Sequence, residues 1–361
     1  MNLKIFTVGF AIFTMFFGAG NITLPLILVQ KWSSHWILSF FAFSISAVLI
    51  TFLGLISAVH AGGTQNFFKP LGVKLGFLIQ LVLILIEGPF GVVPRCLIVA
   101  FGGVKTVFPQ TINWVFFLIC SIFIFYYAAS KKRLVSGVGN YITPLLLITL
   151  FGIFVFIFFK DGTIIGHSLE FSDEVFFDSI STGYLTYDLP GAIYFTGISI
   201  VYLQSLDTDK TKMFKLGIYA SLVSSAILMI VYFAFFYIGA KNIDLIASVE
   251  PEKILPTIIL KSFGKGFAII FSSFIFIACI TTAIAAITIW TDFIFNYMPK
   301  NKRLYKAILI TSLFIASFVA MFNFTGLIKL LSPILNLIYP FLIGLSVYNI
   351  YNRQKKRLSD G

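Results

Sequence analysis

The chain has 361 residues, 59% hydrophobic and 11% charged, with a mean hydropathy of +0.99. Soluble domains carry roughly 25% charged and about 45–50% apolar residues, so these proportions exclude an ordinary water-soluble enzyme and a disordered chain alike. The net charge of +12 is no nucleic-acid signature, because the basic residues cluster between apolar runs, as they do in oriented membrane proteins.

Apolar runs separated by turn residues and charges predict ten membrane spans, at about 5–29, 36–59, 75–103, 112–129, 141–159, 182–206, 214–240, 266–290, 305–323 and 331–351. Each has the roughly 18 residues or more that a crossing helix needs. The first run is longer than a signal-peptide core and is followed by further spans, so it reads as a mature helix. Counted on alternate sides, seventeen of the 26 Lys and Arg residues fall on the side of both termini, which predicts cytoplasmic N- and C-termini. The acidic loop with Glu170, Asp173, Glu174 and Asp178 then lies outside.

Ten spans divide as five plus five, and an odd number per half makes the halves enter the membrane from opposite sides, as in an inverted repeat. The expected organisation is a first five-helix unit over 1–160, a connection over 161–181, a second unit over 182–351 and a basic cytoplasmic tail over 352–361. Each half opens with the same anomaly: Phe17-Gly18-Ala19-Gly20-Asn21 in the first span and Tyr187-Asp188-Leu189-Pro190-Gly191 in the sixth. Glycine weakens a helix by about 1 kcal/mol relative to alanine and proline by about 3, so both spans are predicted to break in mid-membrane. Unwound backbone is tolerated there only within protein or around a cavity. Two facing breaks offer carbonyls to a small hard cation and half-helix N-termini to a carboxylate.

Ionisable residues inside spans need a partner or a water-filled cavity. Glu87 and Arg95, eight residues apart in the third span, lie about 12 Å apart along a straight helix and about 80° off-face, so a direct bridge is not expected unless Pro89 and Pro94 kink the span. Asp188, in the predicted break, could coordinate a cation, take up a proton, pair with an ammonium group, or cap backbone freed by Pro190. Asp292 reads as an interfacial residue. Thr281 and Thr282 either bond back to carbonyls one turn earlier or help complete an oxygen shell begun by the first span. Cys96, Cys120 and Cys279 lie in apolar runs without metal-ligand spacing, and His35, His60 and His167 fall at span ends or in loops. No G-x-S-x-G, P-loop or dinucleotide fingerprint occurs, so neither an enzyme nor a cofactor is expected.

The segment Gly9-Phe10-Ala11-Ile12-Phe13-Thr14-Met15-Phe16-Phe17-Gly18-Ala19-Gly20-Asn21 resembles the opening of the branched-chain amino acid transport system II carrier family. Gly91-Val92-Val93-Pro94-Arg95, Gly183-Tyr184-Leu185-Thr186-Tyr187-Asp188 and Ile280-Thr281-Thr282-Ala283-Ile284 follow in that family's order. The resemblance implies an all-α polytopic membrane protein of the leucine-transporter-like fold, with a 5+5 inverted repeat, about ten transmembrane helices, and helices 1 and 6 broken. It further implies a bacterial inner-membrane secondary transporter that imports leucine, isoleucine and valine by sodium symport with alternating access. Its partners would be a small neutral amino acid and membrane lipid, with sodium as the coupling ion. The family resembles a twelve-span architecture, of which ten spans are expected here.

Carried over by position, Gly18, Ala19, Gly20 and Asn21 would receive the substrate carboxylate, and Tyr187, Asp188 and Ile193 would line the rest of the substrate site. Carbonyls of Thr14 and Phe17 with the hydroxyls of Thr281 and Thr282 would ligate sodium. Asp188, Glu87 and Arg95 are the candidates for coupling. The alternatives are a proton as coupling ion, a facilitative carrier of another neutral amino acid such as methionine, and a membrane scaffold that moves no solute.

Overall fold

Hydrocarbon offers no partner to a backbone N–H or C=O, so a chain of this composition must close its hydrogen bonds within helices. The structure, a computed structural model, describes residues 5–6, 8–10, 12–13, 17–129, 138–159, 168, 170–194, 210–299 and 301–359, and among them there is no strand. The main helices are α1 (Ala19–Lys31), α2 (Trp36–Ser44), α3 (Ile50–Ala61), α4 (Gly72–Leu85), α5 (Val92–Val107), α6 (Asn113–Ala128), α7 (Val138–Phe159) and α8 (Asp173–Tyr184). They continue with α9 (188–194), α10 (Lys210–Lys241), α11 (Ile254–Asn296), α12 (Lys302–Ala320) and α13 (Asn323–Ser359). Among the described residues six helical stretches are long and apolar enough to cross a membrane, and two shorter apolar helices, Asn113–Ala128 and Ile148–Phe159, accompany them.

Where their residues are described, the ten predicted spans fall largely on helix, and the departures from regularity position the site. The first span is interrupted: residues 12–13 are helical, Gly18 is extended (φ −131°, ψ −170°), and α1 opens at Ala19. The sixth span is also in two pieces. Here α8 starts at Asp173, inside the stretch expected to be connection, because Ser172 is extended and Asp173 and Glu174 place negative charge on the positive end of the new helix. It ends at Tyr184, the chain turns through Leu185 and Thr186, and helix resumes at 188. Tyr187 takes φ +69° at the break, a left-handed conformation that a bulky residue adopts only when its surroundings hold it there. Pro190 stands in the first turn of α9, where the missing N–H deprives no helical acceptor.

The third span breaks as well. Between α4 and α5 the residues Ile86–Phe90 form a single π-helical turn containing Pro89, with Gly88 out of helical conformation (φ −87°, ψ −116°). A Cβ on Gly88 would stand 2.7 Å from Cβ of Trp290, so glycine lets this kinked backbone lie against α11. The eighth span is preceded by an unforeseen element: α11 is two arms, 254–263 and 265–296, joined at Gly264 (φ +80°, ψ 174°). The short arm follows a 3-10 turn over Pro251–Lys253 and lies outside the predicted 266–290 span.

Packing follows the apolar faces. Helix α5 runs chiefly against α11, α8 against α2, α10 against α1, and α13 against α3. Between these layers aromatic side chains meet edge to face, as where Phe43 and Tyr232 have ring centroids 4.9 Å apart, the geometry favoured by the ring quadrupole. Other phenylalanines, among them Phe41, Phe314 and Phe318, are exposed, as expected of a surface whose solvent is lipid.

At Gly264 no heavy atom lies within 4 Å of where a Cβ would be, so substitution there tests backbone conformation alone. Gly264→Ala is expected to destabilise the protein by about 1–3 kcal/mol, the range for a residue forced into a glycine-only region. A lowered midpoint of thermal unfolding in detergent is the measurement.

Candidate functional site

The two mid-membrane breaks meet. With α1 opening at Ala19, the N–H groups of Ala19, Gly20 and Asn21 belong to a first turn that has no preceding carbonyls to bond. The Asn21 side chain, 1% exposed, turns back so that its Oδ1 accepts from Gly18 N–H at 3.0 Å. Its amide nitrogen donates to both carboxylate oxygens of Asp188, at 2.9 and 3.1 Å, and to the Tyr232 hydroxyl at 2.6 Å. Tyr232 in turn donates to Asp188 Oδ2 at 3.0 Å. The Asp188 backbone N–H donates to Thr186 Oγ1 at 3.3 Å, and that hydroxyl donates to the Gly183 carbonyl at 2.9 Å. One buried aspartate thus joins the first span and α10 through its carboxylate and the two pieces of the sixth span through its backbone N–H.

Arg95 closes the other side. Although Asp188 has no basic neighbour in its own span, α5 brings Arg95 to the same break: Nη1 donates to the Leu185 carbonyl at 2.5 Å and Nη2 to that of Thr186 at 3.1 Å. These carbonyls follow the C-terminal end of α8, where a helix favours positive charge, and Arg95 Nε has no hydrogen-bond partner among the described residues. A Cβ on Gly20 would stand 2.5 Å from Arg95 Nη1 and 2.7 Å from Cζ, so glycine is what lets the start of α1 lie on the guanidinium. Glu87, in the π turn, is buried but makes no hydrogen bond or ion pair among the described residues, and no bridge joins it to Arg95.

Two phenols fasten the sixth span to the third. Tyr187 donates to the Leu83 carbonyl at 2.5 Å and Tyr194 to that of Gln80 at 3.1 Å, while the Ile193 carbonyl accepts from Thr64 Oγ1 at 2.8 Å. Ile193 and Tyr187 are buried in the core. Phe17 is buried, its N–H donates to the Phe13 carbonyl at 2.9 Å, and its ring stacks on Phe13. Thr14 lies outside the described residues. Thr281 donates to the carbonyls of Ile277 and Ala278, and Thr282 to that of Ala278, so their protons are committed to their own helix while the oxygen lone pairs stay available. Sequence reasoning missed Tyr232 and Thr186: a tyrosine within an aromatic-rich span carries no local signal, and only the fold shows that it faces Asp188. Among the described residues no group of three or more His, Cys, Asp and Glu side chains is placed to hold a metal.

Residues 1–359 match the sequence family described as "Branched-chain amino acid transport protein". The chain belongs to this family. Membership makes this branched-chain amino acid transport protein a multi-pass membrane transporter of a small neutral amino acid and not an enzyme. It is 27% identical over 366 residues to the branched-chain amino acid transport system 2 carrier protein of Pseudomonas aeruginosa, covering 98% of this chain and 82% of that one. Against the branched-chain amino acid permease BrnQ of Bacillus subtilis it is 28% identical over 353 residues, 94% of this chain and 79% of the permease. A solved structure described as the substrate-bound outward-open state of a Na+-coupled sialic acid symporter superposes with a TM-score of 0.51 at 15% identity, covering 97% of this chain and 86% of that one. The transport protein therefore has the leucine-transporter-like fold.

Because Asn21, Asp188 and Tyr232 form one buried network, their substitutions should not add. In a double-mutant cycle, Asn21→Ala and Asp188→Ala are expected to couple by about 1–3 kcal/mol in unfolding stability. Tyr232→Phe, which removes one hydroxyl and leaves an acceptor short, should cost about 1–3 kcal/mol alone. Additive effects in thermal or denaturant unfolding would show that the three residues do not act together.

Proposed function

We propose that this protein imports leucine, isoleucine and valine by sodium symport, alternating access around the two broken spans. The observation that carries the reading is the Asp188–Asn21 bond, which holds the break in the sixth span against the N-terminal turn of α1. The first-turn N–H groups at Ala19, Gly20 and Asn21, with Gly18 ahead of them, are the positive end that suits a substrate carboxylate. The Asn21 side chain is already engaged, so its contribution in this reading is its backbone N–H. Tyr187 and Ile193 are the proposed walls of the side-chain pocket, and one methylene there discriminates by only about 1–3 kcal/mol, consistent with a site shared by the three aliphatic amino acids.

Sodium in this reading is held by carbonyls of Thr14 and Phe17 with the Thr281 and Thr282 hydroxyl oxygens. Cation binding then orders the unwound segment that the substrate needs, so each ligand tightens the other. The units 1–160 and 182–351 are proposed as the inverted repeats that rock against each other, with both termini cytoplasmic. A second reading rests on Glu87: a buried carboxylate without a hydrogen-bond partner among the described residues is a candidate proton carrier within a membrane, whereas Asp188 is engaged in holding the breaks together.

Radiolabelled leucine uptake into proteoliposomes separates the two readings. Sodium symport predicts accumulation driven by an inward sodium gradient, lost in Thr282→Val and retained in Glu87→Gln. Proton symport predicts accumulation driven by an inward proton gradient without sodium, lost in Glu87→Gln. Equilibration without accumulation under either gradient would mean a facilitative carrier.

A further inference from the structure

The turn between the second and third spans and the last helix flank an open apolar groove. Pro70 and Leu71, of a 3-10 turn over Lys69–Leu71, stand on one side, and Phe341, Gly344, Leu345 and Tyr348 of α13 on the other, around about 480 Å³. No heavy atom lies within 4 Å of where a Cβ on Gly344 would be, so α13 is bare there and the groove gains its depth. From Phe341 to Tyr348 it follows the helix for about 10 Å, less than the roughly 15 Å of hydrocarbon in one leaflet. Phe341 and Tyr348 are exposed, and in a membrane that exposure is to lipid.

One end of the groove is the membrane edge. Asn349 Nδ2 donates to the Phe67 carbonyl at 3.0 Å, which ties α13 to the turn one residue past Tyr348, and the apolar stretch of α13 ends at Asn352. That edge is basic. Lys69 immediately precedes Pro70, Lys74 lies in the first turn of α4, both are exposed, and neither makes an ion pair among the described residues. Beyond Asn352 the same helix carries Arg353, Lys355, Lys356 and Arg357. The sequence holds no Asp or Glu from 1 to 86 or from 293 to 359, so neither element supplies a counter-charge. A hydrocarbon slot that ends at lysines without a counter-charge fits a ligand with an apolar chain and an anionic head, and basic positions at a membrane edge are the ones that draw acidic lipids.

We propose that this groove binds one anionic phospholipid, with an acyl chain against Phe341, Gly344 and Tyr348 and the headgroup phosphate beside Lys69 and Lys74. The bound lipid bridges α13 to the turn that opens the third span, the span that carries Glu87 and Arg95, and stabilises the arrangement in which they lie together. The site requires neither the coupling ion nor the substrate, so it and the transport reading fail separately.

The experiment is thermal unfolding of the purified full chain in a non-ionic detergent, without substrate, as dioleoyl phosphatidylglycerol or dioleoyl phosphatidylcholine is added at constant ionic strength. The rise in unfolding midpoint with phosphatidylglycerol is expected to be half-complete at a lipid concentration at least about tenfold lower than with phosphatidylcholine, since each lysine beside an anionic headgroup contributes about fivefold. Lys69→Gln should reduce that preference about fivefold, whereas Lys329→Gln, about 28 Å farther along α13, should leave it intact. Gly344→Leu, whose Cβ meets no other group, should fill the groove and raise the half-saturating phosphatidylglycerol severalfold while the lipid-free midpoint stays in place. Equal responses to the two lipids, a preference reduced as much by Lys329→Gln as by Lys69→Gln, or an unchanged half-saturation in Gly344→Leu overturns the site. An equal rise with inorganic phosphate also overturns it, because no acyl chain is then needed. Should Gly344→Leu yield no folded protein, the exposed change Lys69→Gln decides: an unchanged preference overturns the site and a reduced one, with Lys329→Gln unaffected, supports it.

Discussion

A carboxylate buried in the membrane interior must be answered by hydrogen-bond donors, and the arrangement around Asp188 follows from that requirement. Asn21 and Tyr232 answer it from two different spans, and doing so fixes where the broken first span, the broken sixth span and α10 meet. The same bonds satisfy the donors themselves. Asn21 could not be buried to this degree without acceptors for its amide and a donor for its carbonyl oxygen, and Asp188, Tyr232 and Gly18 supply them. A network whose members are all satisfied gains from the low local dielectric, whereas the loss of one member exposes the rest to the full penalty of burial.

Arg95 performs the complementary task. Where the sixth span unwinds, carbonyls are stranded, and a guanidinium with several donors in one plane takes up two of them at once. The side chain needs room, and glycine at position 20 provides it. The charged pair of the site is thus divided by role: the negative group collects side-chain donors from neighbouring spans and the positive group collects backbone acceptors. Neither charge cancels the other directly, which leaves both spans able to shift without breaking an ion pair.

The helices and the two principal breaks were legible in the sequence because each rests on local chemistry: apolar runs of spanning length, Gly18 and Gly20 in one, Pro190 and Gly191 in the other. The early start of α8 was hidden because Asp173 and Glu174 resemble loop residues until they are recognised as the first turn of a helix that they stabilise. The short arm of α11 was hidden as well. Its apolar run is too short to cross a membrane and is cut off from the following span by Lys261, Gly264, Lys265 and Gly266, so it reads as connection, although the helix is interrupted only at Gly264. Within the site, Asp188 and Asn21 stood out as polar residues in apolar surroundings, but their pairing spans 167 positions and has no trace in local spacing. Arg95 was visible as a charge and not as a ligand of backbone carbonyls, since its acceptors exist only once the sixth span has unwound.

The phenols of Tyr187 and Tyr194 both end on main-chain carbonyls, at Leu83 and Gln80. Every amino acid has a carbonyl, so positions 80 and 83 are free to drift in side-chain identity without loosening the attachment, while the two tyrosines are not. At these two bonds the constraint is therefore one-sided and rests on the tyrosines of the sixth span, while Arg95, donating from the third span to the Leu185 and Thr186 carbonyls, places the reciprocal constraint on the third.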